Sequence, residues 1–507
     1  MSNCIHNQIE SFKMRYLKQT PEIQAPNLNQ HLVHRIVVHL ANKMKEHYKP
    51  EFSFHKYVAS KPGASRRRFL KAYNQLLTGT RSLDRISKIT AFVKNERYFE
   101  AGKSPRLIMG RDPRFNILYA RFVARLEEAF FSLPQICNAC DYRQSGEKFS
   151  KILREDSYMF ENDMSKYEST QRHYLLALEF LVYALVTPLE EIEDLKLLFA
   201  VKMIKAGHTQ EGLKFFFLHC RGSGDMDTGL GNGVINYITT MYFKIVNFCP
   251  HKAECRMDGS CCHFDEFAAK GDDSYGNMPR TENVVNTYAY FGLDAKLIIR
   301  RDPRLTEFCS GHFVRLKNGT YHYVQKLRKL ITSLSTVINP DFVERGWCAH
   351  YYRSLGDMYS VLYGEMPIYC DIAKFLQTAS GKLRVNKHLV GESYGASTAY
   401  FAQQHSVEKI DVSPQTMLDI SMVNDMSIPE LEALHTFYTT ARIDLPSEQQ
   451  RRCNVKSKKA DNMPQLDDNV VKQFDRDVNK DSRGWVKSFG NLLRDPLRTL
   501  SQLAANS

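Results

Sequence analysis

Apolar positions recur at helical spacing in two stretches of the central chain. Tyr174, Leu178, Leu181 and Leu185 predict one helix, with Ser169 or Thr170 placed to cap it. Leu230, Val234, Ile238, Met241 and Ile245 predict a second, directly after the glycine-rich run GSGDMDTGLGNG. Elsewhere the pattern is that of strands. SYMFEND (157–163) reads as a short strand ending in Asp163, and HFDEFAA and SYGNM read as the arms of a hairpin whose tip holds Gly271, Asp272 and Asp273. Strand and helix therefore alternate, with carboxylates at strand ends. From about 325 to 455 the pattern is mostly helical. After Lys459 the chain turns polar and reads as a linker. Its last segment, WVKSFGNLLRDPLRTLSQL, carries Trp485, Phe489, Leu492, Leu493 and Leu500 at helical spacing and reads as a packed or disordered tail.

Charge adds a partner to this picture. The 507 residues carry a net charge of +13, which favours a polyanion such as nucleic acid or an acidic membrane surface. Between Lys61 and Arg114 there are 14 Lys or Arg against 4 Asp or Glu, with Phe69, Tyr73, Phe92, Tyr98 and Phe99 interleaved. Cations can follow phosphates there while rings stack on bases; the plainer alternative is a solvated basic face. Twelve cysteines without a regular framework suit a reducing compartment. The N-terminal residues lack the apolar core of a signal peptide, and LLALEFLVYALV (175–186) is too short to span a bilayer, so a cytosolic protein is expected.

Adjacent carboxylates at a hairpin tip are, by themselves, common turn chemistry. Two-metal phosphoryl transfer, however, needs carboxylates from separate strands to converge on a pair of divalent cations, and Asp163 and Asp272 could do so if their strands are neighbours. The order of motifs then becomes specific. DMSKYE (163–168), GSGDMDTGLGN (222–232) and KGDD (270–273) resemble motifs A, B and C of the RNA-dependent RNA polymerases of positive-strand RNA viruses. FVKNERYFEAGKSPRLIMGRDPRFN (92–116) resembles their motif F in its tombusvirus-like and flavivirus-like form, and FGLDAKL (291–297) and EFCSGHF (307–313) are similar to motifs D and E.

That resemblance implies an α+β right-hand polymerase with an antiparallel-sheet palm, closed fingers and a mostly helical thumb. Its divisions are an N-terminal extension (1–60), fingers (61–156, with an insertion at 186–221), palm (157–185 and 222–325), thumb (326–455) and a polar linker with tail (456–507). It implies metal ligation by Asp163, Asp272 and Asp273, with Mg²⁺ or Mn²⁺, and a general-acid role for Lys296. Lys94, Lys103, Arg106, Ile108, Glu168, Ser223, Thr228 and Asn232 are expected to contact the nucleotide. Arg66, Arg67, Arg68, Gly222 and Gly224 are expected to contact RNA. The implied partners are single-stranded template RNA, nascent RNA and NTPs, with other viral replication proteins and, through them, host membranes in the cytoplasm. Glu168 departs from the family, whose motif A has aspartate there. A reverse transcriptase typically has an aromatic residue where this chain has Lys270, and a decayed RNA-binding scaffold would have no need of intact Asp163, Asp272, Asp273 and Asn232. CPHKAECRMDGSCCH (249–263) crowds cysteines and histidines in a spacing that fits no standard zinc knuckle, so buried thiols are expected there and structural zinc is not. CNAC (137–140) is a weaker candidate still.

Overall fold

A computed structural model describes residues 4–17, 22–61, 63–79, 83–94, 104–218, 220–334, 348–381 and 410–442. Residues 95–103, which include Tyr98, Phe99 and Lys103, and the tail from 443 onward lie outside these residues. The N-terminal part comprises α1 (Ile5–Arg15), α2 (Gln30–Lys45), α3 (Phe54–Ala59), α4 (Gly63–Leu77), α5 (Leu83–Ile86), β1 (Ile89–Val93), β2 (Leu107–Arg111) and α6 (Pro113–Phe131). There follow α7 (Tyr142–Ile152), β3 (Tyr158–Met164), α8 (Tyr167–Thr170), α9 (His173–Val186), α10 (Ile192–Met203), β4 (Ile204–Thr209), β5 (Lys214–Leu218) and α11 (Thr228–Phe248). The strands β6 (Phe267–Lys270), β7 (Asp273–Met278), β8 (Ala295–Arg300), β9 (Glu307–Phe308), β10 (Gly311–Arg315) and β11 (Tyr321–Gln325) precede a helical region. Its described helices are Leu327–Leu334, Cys348–Tyr363, Tyr369–Ala379, Pro414–Asn424 and Ile428–Thr440.

The fold is α+β, and the sheet that matters is fully antiparallel, in the order β6-β7-β3-β8. A second sheet, β2-β1-β4-β5, is mixed because β1 runs parallel to β4. A third, β11-β10-β9, leads into the helical region, which has its own apolar core. The largest core lies between α2, α6, α9, α10 and α11. Helix α2 shows why these helices form: Asn29 caps it by accepting the Leu32 amide at 3.0 Å, and Leu32, Val33, Ile36, Val37, Leu40 and Met44 recur on its buried face.

One expectation about α9 needs correction. Ser169 and Thr170 do not cap it; they belong to the short helix α8, and their hydroxyls donate back to the Lys166 and Tyr167 carbonyls at 2.8 and 2.9 Å. The helix itself forms where Tyr174, Leu178, Leu181 and Leu185 predict it, enclosed nearly all round, with Leu178 buried and Tyr174, Leu181 and Leu185 half-buried. Period alone cannot orient a helix that is apolar on every face. By contrast, Leu230, Val234, Ile238, Met241 and Ile245 on α11 are all fully buried.

Candidate active site

The sheet register assembles the carboxylates. Asp163, near the end of β3, pairs directly with Lys296 on β8. On its other side β3 pairs with β7 as far as Asn162 opposite Ser274, so the next step of the ladder sets Asp163 across from Asp273. Lys270 pairs with Asp273, leaving Gly271 and Asp272 as a two-residue hairpin turn. Gly271 has φ +62°, a conformation glycine adopts without strain at the first central position of such a turn. Burial pushes the Asp273 carboxyl up to about 7, and the charges of Asp272 and Asp163 push the same way. Burial also raises Asp272; Arg106 opposes the rise, and Asp163 and Glu168 add to it. Clustered carboxylates that resist ionising together are what a divalent cation would relieve, and an all-oxygen donor set suits Mg²⁺ or Mn²⁺.

A polar stripe on α11 supports the hairpin. Asn232, Asn236, Thr240 and Lys244 recur every four residues on a helix otherwise packed in apolar core. Asn236 donates to the carbonyls of Gly271 and Asp273 at 3.1 and 3.0 Å, clasping the turn from behind. Thr240 bonds the Ser274 hydroxyl at 3.3 Å, and Lys244 donates to the Glu266 carbonyl and to Asn277 Oδ1 at 2.7 and 3.0 Å. Burial pushes the Lys244 ammonium down to about 7, with Glu266 opposing. Asn236, Thr240 and Lys244 escaped the sequence reading although their signal was present: polar residues at intervals of four inside an apolar helix.

The loop before α11 rests on buried charge. Arg221 bonds Glu179 and Gln171, while Lys202 reaches Glu179 at 2.8 Å and Asp227 at 2.7 Å. Tyr119 also donates to Asp227 at 2.9 Å. Beside this group, Asp225 accepts from Lys205 at 2.5 Å, from Arg111 at 3.2 Å and from the Gly222 amide at 2.9 Å. Burial alone would raise Asp225 and Asp227; their neighbouring cations overcome it and hold both below the ordinary carboxylate range. Thr228 donates to the Asp225 carbonyl at 2.7 Å and the Gly222 carbonyl at 3.1 Å, so its hydroxyl closes the loop. Ser223 is half-buried, and its carbonyl accepts from the Met109 amide of β2 at 2.7 Å. Gly224, at φ +107°, lies so close to Ile108 that a Cβ would stand 3.0 Å from its Cγ2. Asn232 accepts from Gln171 at 2.8 Å. Nothing in the spacing of Glu179, Lys202, Arg221 and Asp227 announces this network, since its members come from two helices and the loop before α11.

Glu168 meets a residue from the segment set apart as an N-terminal extension. Arg15, at the end of α1, donates to Glu168 Oε1 at 2.5 Å and to the Pro105 carbonyl at 2.9 Å. Next to it Tyr16 is buried, and its hydroxyl titrates well above the ordinary value because of that burial and the nearby Glu168 charge. The N-terminal residues are thus part of the site, not an appendage. Arg106 is exposed and its charge acts on Asp272; the Lys94 amide donates to the Arg106 carbonyl at 2.8 Å, continuing the β1–β2 pairing. Arg66, Arg67 and Arg68 lie exposed on α4.

Comparison with known proteins accords with this geometry. The family model described as viral RNA dependent RNA polymerase matches residues 1–258, a span that includes β3, α8 and all of α11 and ends before the Gly-Asp-Asp hairpin. The RNA-directed RNA polymerase of Groundnut rosette virus is 24% identical over 399 residues, covering 74% of this chain and 45% of the relative. That of Tobacco necrosis virus strain A is 22% identical, covering 71% and 50%, and that of Pothos latent virus is 24% identical, covering 51% and 37%. The chain therefore spans half or less of the length of these relatives. With the family model matching just over half of its residues, this chain belongs to the viral RNA-dependent RNA polymerases.

Proposed function

We propose that the chain copies single-stranded RNA from ribonucleoside triphosphates, as the nucleotidyltransferase of a positive-strand RNA virus. The observation that carries this reading is the meeting of Asp163, Asp272 and Asp273 at one end of an antiparallel sheet, with Lys296 opposite Asp163. Bound at these carboxylates, a pair of Mg²⁺ or Mn²⁺ ions would supply activation of the RNA 3′ hydroxyl and neutralisation of the leaving pyrophosphate. Asp163 and Asp272 would be the ligands and Asp273 the auxiliary carboxylate. Lys296, exposed at the sheet edge, would give a proton to pyrophosphate. Arg106, with Lys94 and Lys103, would pair the triphosphate charge. Ile108 would lie under the templating base pair, and Ser223 and Asn232 would face the ribose. Arg66, Arg67 and Arg68 would follow template phosphates, and Gly222 and Gly224 would let RNA approach the backbone.

In this reading residues 61–156 and 186–221 act as fingers, 157–185 and 222–325 as palm, and 326–455 as thumb. Among the described residues no helix is long and apolar enough to cross a membrane. The purified chain, given an RNA template, labelled NTPs and Mg²⁺ or Mn²⁺, should yield complementary RNA. Synthesis only from deoxynucleotides would instead make it a reverse transcriptase, and RNA binding without synthesis would make it a scaffold.

The Arg15–Glu168 pair leads to a prediction about sugar choice. Glu168 is longer by one methylene than the aspartate usual in the family, and Arg15 fixes where the longer side chain ends. A site built to bond the 2′ hydroxyl rejects a sugar lacking it because polar groups stay unpaired, at about 1 to 3 kcal/mol each. Glu168→Ala should therefore narrow the preference for ribonucleotides by about 5- to 150-fold. Arg15→Ala should narrow it less, since the carboxylate remains but loses its anchor. The ratio of incorporation efficiencies for the two sugars measures both. Wild-type ratios in both variants would leave selection to Ser223 and Asn232.

A further inference from the structure

The loop joining α11 to β6, residues 249–266, contains only one three-residue helical turn, Lys252–Glu254. It contains three residues at positive φ, Lys252, Met257 and Gly259. A segment this long and irregular inside a compact region needs something to hold it. Four of its cysteines converge: the Sγ atoms of Cys249, Cys255, Cys261 and Cys262 all lie within 4.8 Å of one another. The separations are 3.7 Å for Cys249 and Cys261, 3.5 Å for Cys255 and Cys261, and 3.6 Å for Cys255 and Cys262.

These values discriminate between the structures that four cysteines can make. A disulfide needs sulfurs about 2.05 Å apart. An iron–sulfur cluster interposes its own irons and sulfides and spreads the thiolates wider than a single ion does. Four thiolates around one tetrahedral zinc at about 2.3 Å stand about 3.8 Å apart, which is what the cysteines approach. The backbone amides of Met257 and Arg256 act on the sulfurs of Cys255 and Cys261, the kind of donor that steadies ligating sulfur. Arg35 of α2 donates to the carbonyls of Ala253 and, at 2.6 Å, Cys255, bringing a positive charge to the loop. His251 and His263 are exposed; His263 faces Arg154 and Glu266 and stays outside the set.

We infer that Cys249, Cys255, Cys261 and Cys262 form a closed tetrahedral zinc site that fastens the end of α11 to the strand leading into the Gly-Asp-Asp hairpin. Loading it releases the four thiol protons and leaves a net charge of −2 on the zinc-thiolate group. With four protein ligands no position stays open for water, so the ion is structural. The irregular spacing hid the site in the sequence because the ligands are gathered by the helix end and two tight turns, not by a standard knuckle.

The test is the metal content of the full chain, purified with reductant and without chelator, measured by plasma mass spectrometry. One zinc per chain is expected. Cys261→Ser and Cys262→Ser should lower it to a small fraction, Cys262→His should retain it, and Cys140→Ser, outside the cluster, should leave it unchanged. Replacement of the metal by cobalt(II) in the wild-type chain should give the intense visible spectrum of a tetrahedral thiolate site, a readout that holds even if a serine variant fails to fold. Wild-type protein without zinc, iron in its place, an octahedral cobalt spectrum, or a disulfide between any two of the four would each overturn the assignment.

Discussion

On the proposed function, Asp272→Asn and Asp163→Asn should each abolish nucleotide addition, by about a thousandfold or more, while RNA affinity should change by less than about tenfold. The asymmetry follows from where the charges sit. Asp163 and Asp272 lie at the end of the β6-β7-β3-β8 sheet, where, as proposed metal ligands, their loss would remove transition-state stabilisation worth several kcal/mol. Affinity for RNA would rest on cations spread over the chain, whose contribution is counterion release and does not depend on two carboxylates. Single-nucleotide extension of a labelled RNA, with filter binding in parallel, separates the two quantities. Near-wild-type extension by either variant would falsify the assignment of these residues as ligands.

The second large effect is expected away from the chemistry. Lys202→Met should destabilise the fold by about 3 to 5 kcal/mol, the cost of leaving buried carboxylates without their cation. Lys202 bridges Glu179 and Asp227, all three are almost wholly inaccessible, and among the described residues Arg221, bonded to Glu179 but 3.8 Å from Asp227, would remain the only cation near both carboxylates. That amount is a large share of the stability of an ordinary domain. Because Asp227 directly precedes α11, the same change should loosen residues 222–227, and template-directed synthesis should fall along with stability. Thermal unfolding and limited proteolysis at that loop report the two effects. A melting temperature equal to wild type, with an uncut loop, would show that the network is not held through Lys202.

What could be read from sequence was local chemistry in a fixed order. Gly271 before Asp272, the strand ending at Asp163 and the buried face of α11 all follow from turn residues and period, and all appear in the fold. What could not be read depends on long-range juxtaposition. Arg15 is 153 residues from Glu168, and the charges under residues 222–227 gather from α9, α10 and the loop itself, so no window of sequence holds the set. The misreading of the α9 cap has a different origin. Ser169 and Thr170 found backbone partners one turn earlier, and the cap position fell to Arg172.

The polar stripe on α11 also bears on translocation, the one-base-pair advance that must follow each addition. Asn236, Thr240 and Lys244 hold the hairpin strands and their approach from one helix face. A slip of the helix by one residue turns that face by about 100° and would break all of these bonds together. Helix and hairpin must then travel as one rigid piece or stay still. Any ratcheting would fall instead to the tip of the loop at Ser223 and Gly224, which meets β2 through the Met109 amide while its base stays tied by Asp225 and Thr228. On the proposed function, a glycine-rich tip beside a rigid helix–hairpin block would let the duplex advance without disturbing the carboxylates needed for the next addition.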